Sequence, residues 1–128
     1  MDDAAPRKIE CFEDLIIWQR AVDFAAEIYK ITNAVGFKSD FGLKDQLRRA
    51  AVSISSNIAE GFERRSRNEY LNFLNIAKGS AGETRSMLEI ATRVGYLTST
   101  QYEELRERSK FLSGSITNHM KSISSPQS

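Results

Sequence analysis

Reactive residue types are scarce in this chain, and their spacing excludes most site chemistry. His119 is the only histidine and Cys11 the only cysteine, at opposite ends of the sequence. No Glu-x-x-His pair exists, so the carboxylate–histidine pattern of di-iron bundles is absent, and zinc-ligand spacing is absent too. His119 beside Met120 reads as a helix-face residue. No serine has a Gly-x-Ser-x-Gly context, and one histidine leaves little for a nucleophilic triad. Gly79-Ser80-Ala81-Gly82 has neither the preceding strand nor the lysine of a phosphate loop. The expectation is a protein that is not an enzyme and that uses no metal or cofactor. A cleft converging on Arg49, Glu60 and Glu83 would reopen catalysis. A lone thiol forbids an intramolecular disulfide and suits a reducing, cytoplasmic setting.

Two polar constellations remain. Arg64, Arg65 and Arg67 fall within four residues. The planar donor fork of arginine suits phosphate, so this turn could contact an RNA backbone, with Arg48 as a further contact. The other reading is a solvated turn diluted by Glu63 and Glu69. The second constellation is a row on one helix: Gln46, Arg49, Ser53, Asn57 and Glu60. Arg49 and Glu60 are three turns apart, so each looks for a partner on another helix, with Glu83 and Arg85 as candidates. The row is either a solvated face or a polar seam that fixes helix register. Serine and asparagine are weak helix formers to place on an open surface, which favours the seam.

These residues must be held by helices. Only Pro6 and Pro126 interrupt the chain, one near each end, leaving the interior free of that helix breaker. Leu43, Leu47, Ala50, Ala51, Ile54 and Ile58 recur at three-four spacing between Gly42 and Gly61, one helical face. Val52 and Ala59 point the opposite way, with Arg48 and Ser55, so this helix is expected to pack on more than one side, Val52 and Ala59 against another copy. An earlier helix is predicted from Phe12 to about Ala34. Its inward stripe is Leu15, Trp18, Val22, Ala25, Tyr29 and Thr32, broadened by Ile16, Ile17, Ala21, Phe24 and Ile28. Gly36 is its expected left-handed cap, and Phe37 and Phe41 should tuck over the bundle end.

A third helix starts at Ser66, with Glu69 completing a capping box, and stops at Gly95. Tyr70, Phe73, Leu74, Ala77, Ala81, Thr84, Leu88 and Ala91 mark its inner face. Gly79 and Gly82 join Ala77, Ser80 and Ala81 in a small-residue patch suited to close helix approach. Thr98 and Gln101 box the start of a fourth helix, whose inward row is Tyr102, Leu105, Ser109, Leu112, Ile116, Met120 and Ile123. The predicted fold is an all-α, antiparallel, up-down-up-down four-helix bundle. One domain is expected over 12–123, with an N-terminal arm (1–11) and a C-terminal tail (124–128).

Composition agrees with this class. The chain has 128 residues, 41% hydrophobic and 27% charged, with a formal net charge of +1. That size holds one core, and the charge supplies no global field demanding nucleic acid. No basic-then-apolar leader opens the sequence, and no apolar run reaches the ~20 residues of a membrane span.

The residues Leu15-Ile16-Ile17-Trp18-Gln19, Phe41-Gly42-Leu43, Arg48-Arg49-Ala50-Ala51-Val52-Ser53-Ile54 and Ser56-Asn57-Ile58-Ala59-Glu60-Gly61 form a specific block. Glu69-Tyr70, Phe73-Leu74, Ile76-Ala77, Gly79-Ser80 and Gly95-Tyr96 extend it. Together they resemble the S23-like four-helix-bundle proteins encoded in intervening sequences of bacterial 23S ribosomal RNA genes, over roughly residues 12–123. Lys38 and Ser55 stand where that pattern often has proline, and Ser55 implies a straighter middle turn. The resemblance implies a ring-like homopentamer. It also extends to the accessory bundle protein of diversity-generating retroelements, which works with a nucleic-acid enzyme, a reverse transcriptase, and binds nucleic acid through a strongly basic surface. Two functional expectations follow: an oligomeric bundle that binds RNA or a ribonucleoprotein, and a protein–protein interaction scaffold with no nucleic-acid ligand.

Overall fold

A computed structural model describes residues 8–124. No strand occurs among them. A 3₁₀ turn (Phe12–Asp14) precedes α1 (Ile16–Ile31), the single-turn α2 (Val35–Lys38), α3 (Phe41–Phe62), α4 (Arg67–Arg93) and α5 (Ser99–Ser124). The four long helices close a circuit: α1 packs on α3 and α5, and α4 packs on the same two. Their inward faces form one buried apolar cluster built on Phe24, Ile28, Leu47, Ile54, Ile58, Leu74, Leu88, Leu112 and Ile116. No helix among the described residues is long and apolar enough to cross a membrane. Residues 1–7 of the expected arm and 125–128 of the expected tail lie outside the described residues.

The first helix differs from its prediction in start, rotation and end. Asp14 accepts the backbone N–H groups of Glu10 and Cys11 at 3.0 and 3.3 Å, which closes a separate turn. Leu15 is then extended before α1 begins. The deepest row of α1 is Ile17, Ala21, Phe24 and Ile28, whereas Tyr29 is exposed and Trp18 and Val22 are only half-buried. Apolar residues cover so much of this helix that either row could have turned inward. The row with Phe24 and Ile28 lies deepest, Leu15, Ala25 and Thr32 of the predicted stripe are buried beside it, and Ile16 and Tyr29 are left exposed. Gly36 is not a left-handed cap. It lies inside α2, where a Cβ would sit 3.0 Å from Tyr96 Cδ1. The left-handed residue among those described is Gly95, at φ 89°, where the chain leaves α4.

The core stripe of α3 is the predicted one: Leu47, Ala50, Ala51, Ile54 and Ile58 are buried and Leu43 is half-buried. Gly42 and Gly61 are inside the helix, and Asp40 caps it by accepting the Leu43 N–H at 3.1 Å. Gly61 allows α4 to approach: a Cβ there would lie 2.6 Å from Phe73 Cβ. In α4, Ser66 Oγ accepts the Glu69 N–H at 3.2 Å, and the Glu69 carboxylate turns instead toward Arg64. Ala77, Ser80 and Ala81 are buried, but Gly79 faces open space, so the close-packing patch is narrower than predicted. The α5 capping box is complete, with Thr98 N–H donating to Gln101 Oε1 at 2.9 Å and Gln101 N–H to Thr98 Oγ1 at 3.1 Å. Leu105, Ser109, Leu112 and Ile116 are buried as expected.

Phe37 and Phe41 part company. Phe37 is buried and meets the Tyr96 ring with centroids 5.1 Å apart. Phe41, the first residue of α3, is 72% exposed. Across α4 and α5, Arg85 Nη1 donates to Ser109 Oγ at 3.1 Å and Ser113 Oγ at 3.2 Å. Near the other end of these two helices, Arg67 Nη1 donates to the Ile123 carbonyl at 2.9 Å.

Candidate functional site

The turn between α3 and α4 brings Arg64, Arg65 and Arg67 to one end of the bundle, all exposed. Arg64 donates to Glu60 Oε2 at 3.1 Å, lies 3.8 Å from Glu69 Oε1 and covers the Phe73 ring at 4.9 Å. Arg67 is tethered to the end of α5 through Ile123. Arg65 has no ion pair or hydrogen bond among the described residues. Exposed ion pairs of this kind stabilise by about 0–1 kcal/mol, so Arg64 can exchange its carboxylates for a phosphate at small cost.

Arg48 is elsewhere. Its Nε donates to Thr32 Oγ1 at 2.7 Å, its Nη2 to Asn33 Oδ1 at 3.0 Å, and its guanidinium covers the Tyr29 ring at 4.4 Å. It ties α3 to the end of α1 and is separated from the arginine turn by about 21 Å of helix.

The polar row of α3 divides into two environments. Ser53 and Asn57 are half-buried: Asn57 Nδ2 donates to Ser53 Oγ at 2.9 Å, and Ser80 Oγ of α4 donates to the same oxygen at 2.9 Å. This is a polar link within one chain. Gln46, Arg49 and Glu60 are exposed in the single chain. Arg49 and Glu60 find partners on their own side of the molecule, at Asp45 (2.8 Å) and Arg64 (3.1 Å), and not on another helix as expected. Glu83 borders an open groove of about 280 Å³ with Gln46, Arg49, Ala50 and Ser53, while Arg85 faces α5. Val52 is 37% exposed and Ala59 half-buried. Ser55, expected beside them, is buried, with its hydroxyl returned to the Val52 carbonyl at 3.0 Å.

Sequence reasoning missed the partner of His119. Tyr70 Oη lies 2.8 Å from His119 Nε2. Burial pushes the tyrosine pKa up to about 12 and the histidine pKa down. The two residues are 49 apart in sequence, so no local spacing could announce the pair. Cys11 is exposed, and Glu13 first, then burial and Asp14, push its thiol up toward the neutral form. Among the described residues no group of three His, Cys, Asp or Glu side chains could hold a metal ion.

Comparison with known proteins matches a family model and solved structures. The family model described as 23S rRNA-intervening sequence protein matches residues 13–118. The crystal structure of a protein with unknown function from the S23 ribosomal protein family of Bacteroides thetaiotaomicron VPI-5482 is similar at 31% identity, with a TM-score of 0.75, covering 83% of this chain and 99% of that one. No curated protein matches.

Proposed function

Since this chain belongs to the 23S rRNA-intervening sequence protein family, we propose that it is a non-enzymatic, cytoplasmic, homo-oligomeric bundle that binds RNA or a ribonucleoprotein through the α3–α4 turn. The observation that carries this reading is the exposure of Arg64, Arg65 and Arg67 at one bundle end, with Arg65 uncommitted. The bundle itself is antiparallel, up-down-up-down. Arg67 reaching Ile123 and Arg85 reaching Ser109 support opposite directions for α4 and α5. The assembly is a ring-like pentamer in which Val52 and Ala59, with the exposed ends of the polar row, meet a neighbouring copy. Five copies of a modest arginine patch gain avidity without any new contact.

Filter binding of 23S ribosomal RNA fragments across salt concentrations tests the ligand. Affinity should fall steeply with salt, as phosphate neutralisation requires, and should be lost when all three turn arginines become glutamate. Binding that ignores salt, or survives the triple change, removes the proposal.

A second reading is favoured by Val52, Ile76 and Ile90, apolar residues exposed on α3 and α4. On this reading the chain is a protein–protein scaffold with no nucleic-acid ligand. It expects a stable oligomer and a protein partner, with no RNA retained.

A further inference from the structure

On the outer side of α3, two cations each cover an aromatic ring. Lys44 Nζ lies 5.1 Å from the centre of the Phe41 ring, and the Arg48 guanidinium lies 4.4 Å from that of Tyr29. Phe41 is 72% exposed and Tyr29 44%. Phe41, Lys44 and Arg48 follow three-four spacing, so they share one face of α3 that ends one turn before Val52, the residue the pentamer reading gives to a neighbouring copy. Arg48 borders both surface grooves on this face. One, of about 420 Å³, is shared with Phe41 and Lys44, and the other, of about 450 Å³, with Tyr29 and Val52.

The face is also net positive. Its one carboxylate, Asp45, is held by Arg49 at 2.8 Å. Nearby Asp40 is occupied by the Leu43 N–H and the Tyr96 hydroxyl. Neither Lys44 nor Arg48 is in an ion pair among the described residues, so both can face an external anion. Arg48 is already fixed by Thr32 and Asn33, so little side-chain freedom is lost when it meets a ligand.

We propose that this strip binds a single-stranded stretch of nucleic acid, with a base stacked on Phe41 and phosphates facing Lys44 and Arg48. The inference rests on the RNA-binding reading above and adds the strand state and a second contact. An exposed ring flanked by cations suits unpaired bases, whose π-faces are free, and it tolerates any sequence. A duplex offers no such face in its interior, and its proteins read shape and backbone instead. Phe41 to Arg48 covers about 10 Å of helix, room for one or two nucleotides.

Fluorescence anisotropy at low salt provides the test, with labelled oligouridylate, oligothymidylate and an RNA duplex of equal length. The variants are Phe41→Ala, Phe41→Trp, Lys44→Glu and the triple turn variant. Phe41→Ala should weaken single-strand binding about tenfold, Phe41→Trp should restore it, and duplex affinity should not move. Equal affinity for the two single strands supports stacking, whereas a strong preference for one sugar reports 2′-OH recognition and counts against it. Unchanged single-strand affinity in Phe41→Ala overturns this inference. If the turn variant then loses binding, the parent reading stands alone. No binding of any nucleic acid by the unaltered protein overturns both. A Phe41→Ala protein that changes its sedimentation but not its affinity marks the strip as a protein contact and also overturns the inference.

Discussion

Tyr70 on α4 and His119 on α5 share a hydrogen bond of 2.8 Å between hydroxyl and Nε2, and their rings meet edge to face with centroids 5.6 Å apart. Burial holds both groups neutral, the histidine by lowering its pKa and the tyrosine by raising its own to about 12. The two shifts act at opposite ends of the pH scale. Below about pH 6.5 the unfolded chain takes up a proton that folded His119 still refuses, so stability is full above that pH, falls below it, and levels off under the folded pKa. Above about pH 10 unfolded tyrosine ionises while Tyr70 does not until about 12, so stability falls again as pH rises through that window. Urea midpoints measured against pH should show both limbs. His119→Gln should flatten the acid limb. Tyr70→Phe should remove part of the alkaline one, since Tyr96 and Tyr102 are also held up, chiefly by Asp40 and Glu89. An acid limb unchanged in His119→Gln would refute the assignment.

Gly61 marks the tightest crossing of α3 and α4. A methyl group there would lie 2.6 Å from Phe73 Cβ and 3.1 Å from Tyr70 Cδ1. A Cβ is fixed to its backbone, so no rotamer change relieves the first contact. Helix propensity favours alanine by about 1 kcal/mol, but overpacking typically costs about 1–3 kcal/mol. Gly61→Ala should therefore be neutral to about 2 kcal/mol less stable, read as a lower urea midpoint. A clearly raised midpoint would show that the helices separate freely here.

Much of this was legible in the residue pattern because helical periodicity and burial are local signals. The stripe from Leu47 to Ile58, the Thr98–Gln101 box and the Leu105–Ile116 row all follow from spacing of three and four. Two failures share one cause and a third has its own. Tyr29 reads as inward beside Ile28 because α1 is apolar on several sides, and only its neighbours could choose. Phe41 was placed inward because its chemistry matches that of Phe37, but only Phe37 has Tyr96 to meet. Arg49 and Glu60 were assigned distant partners while Asp45 and Arg64 stood four residues away. The arginine turn was visible as composition, but its tethers to Phe73 and Ile123 depend on the packed fold.

Asp40 joins two connections that are far apart in sequence. One carboxylate oxygen caps α3 through the Leu43 N–H, and the other accepts the Tyr96 hydroxyl at 2.9 Å. Tyr96→Phe removes one hydrogen bond to a charged acceptor and should cost about 1.5–3 kcal/mol at most, less because the site is only part-buried. Asp40→Ala removes the cap as well, adding about 0.5–2 kcal/mol. The two changes should be strongly non-additive, because both delete the same bond. A double-mutant cycle in urea checks this, and full additivity would mean that the pair contributes nothing as a pair.

Gly79 separates the two accounts of the outer face of α4. It is exposed, and a Cβ built there meets nothing within 4 Å in the single chain. It stands between exposed Ile76 and Glu83, beside the groove bordered by Gln46, Arg49 and Ser53. If that face meets only water, Gly79→Ala should stabilise the protein by about 1 kcal/mol through helix propensity alone. If a neighbouring copy packs its backbone against the glycine, the added methyl obstructs the approach, and self-association should weaken even as the isolated helix gains. Sedimentation and thermal melts over a range of protein concentrations distinguish the two. A higher midpoint at every concentration, with an unchanged sedimentation coefficient, would remove Gly79 from any subunit contact. A lower midpoint that recovers as concentration rises would place it there.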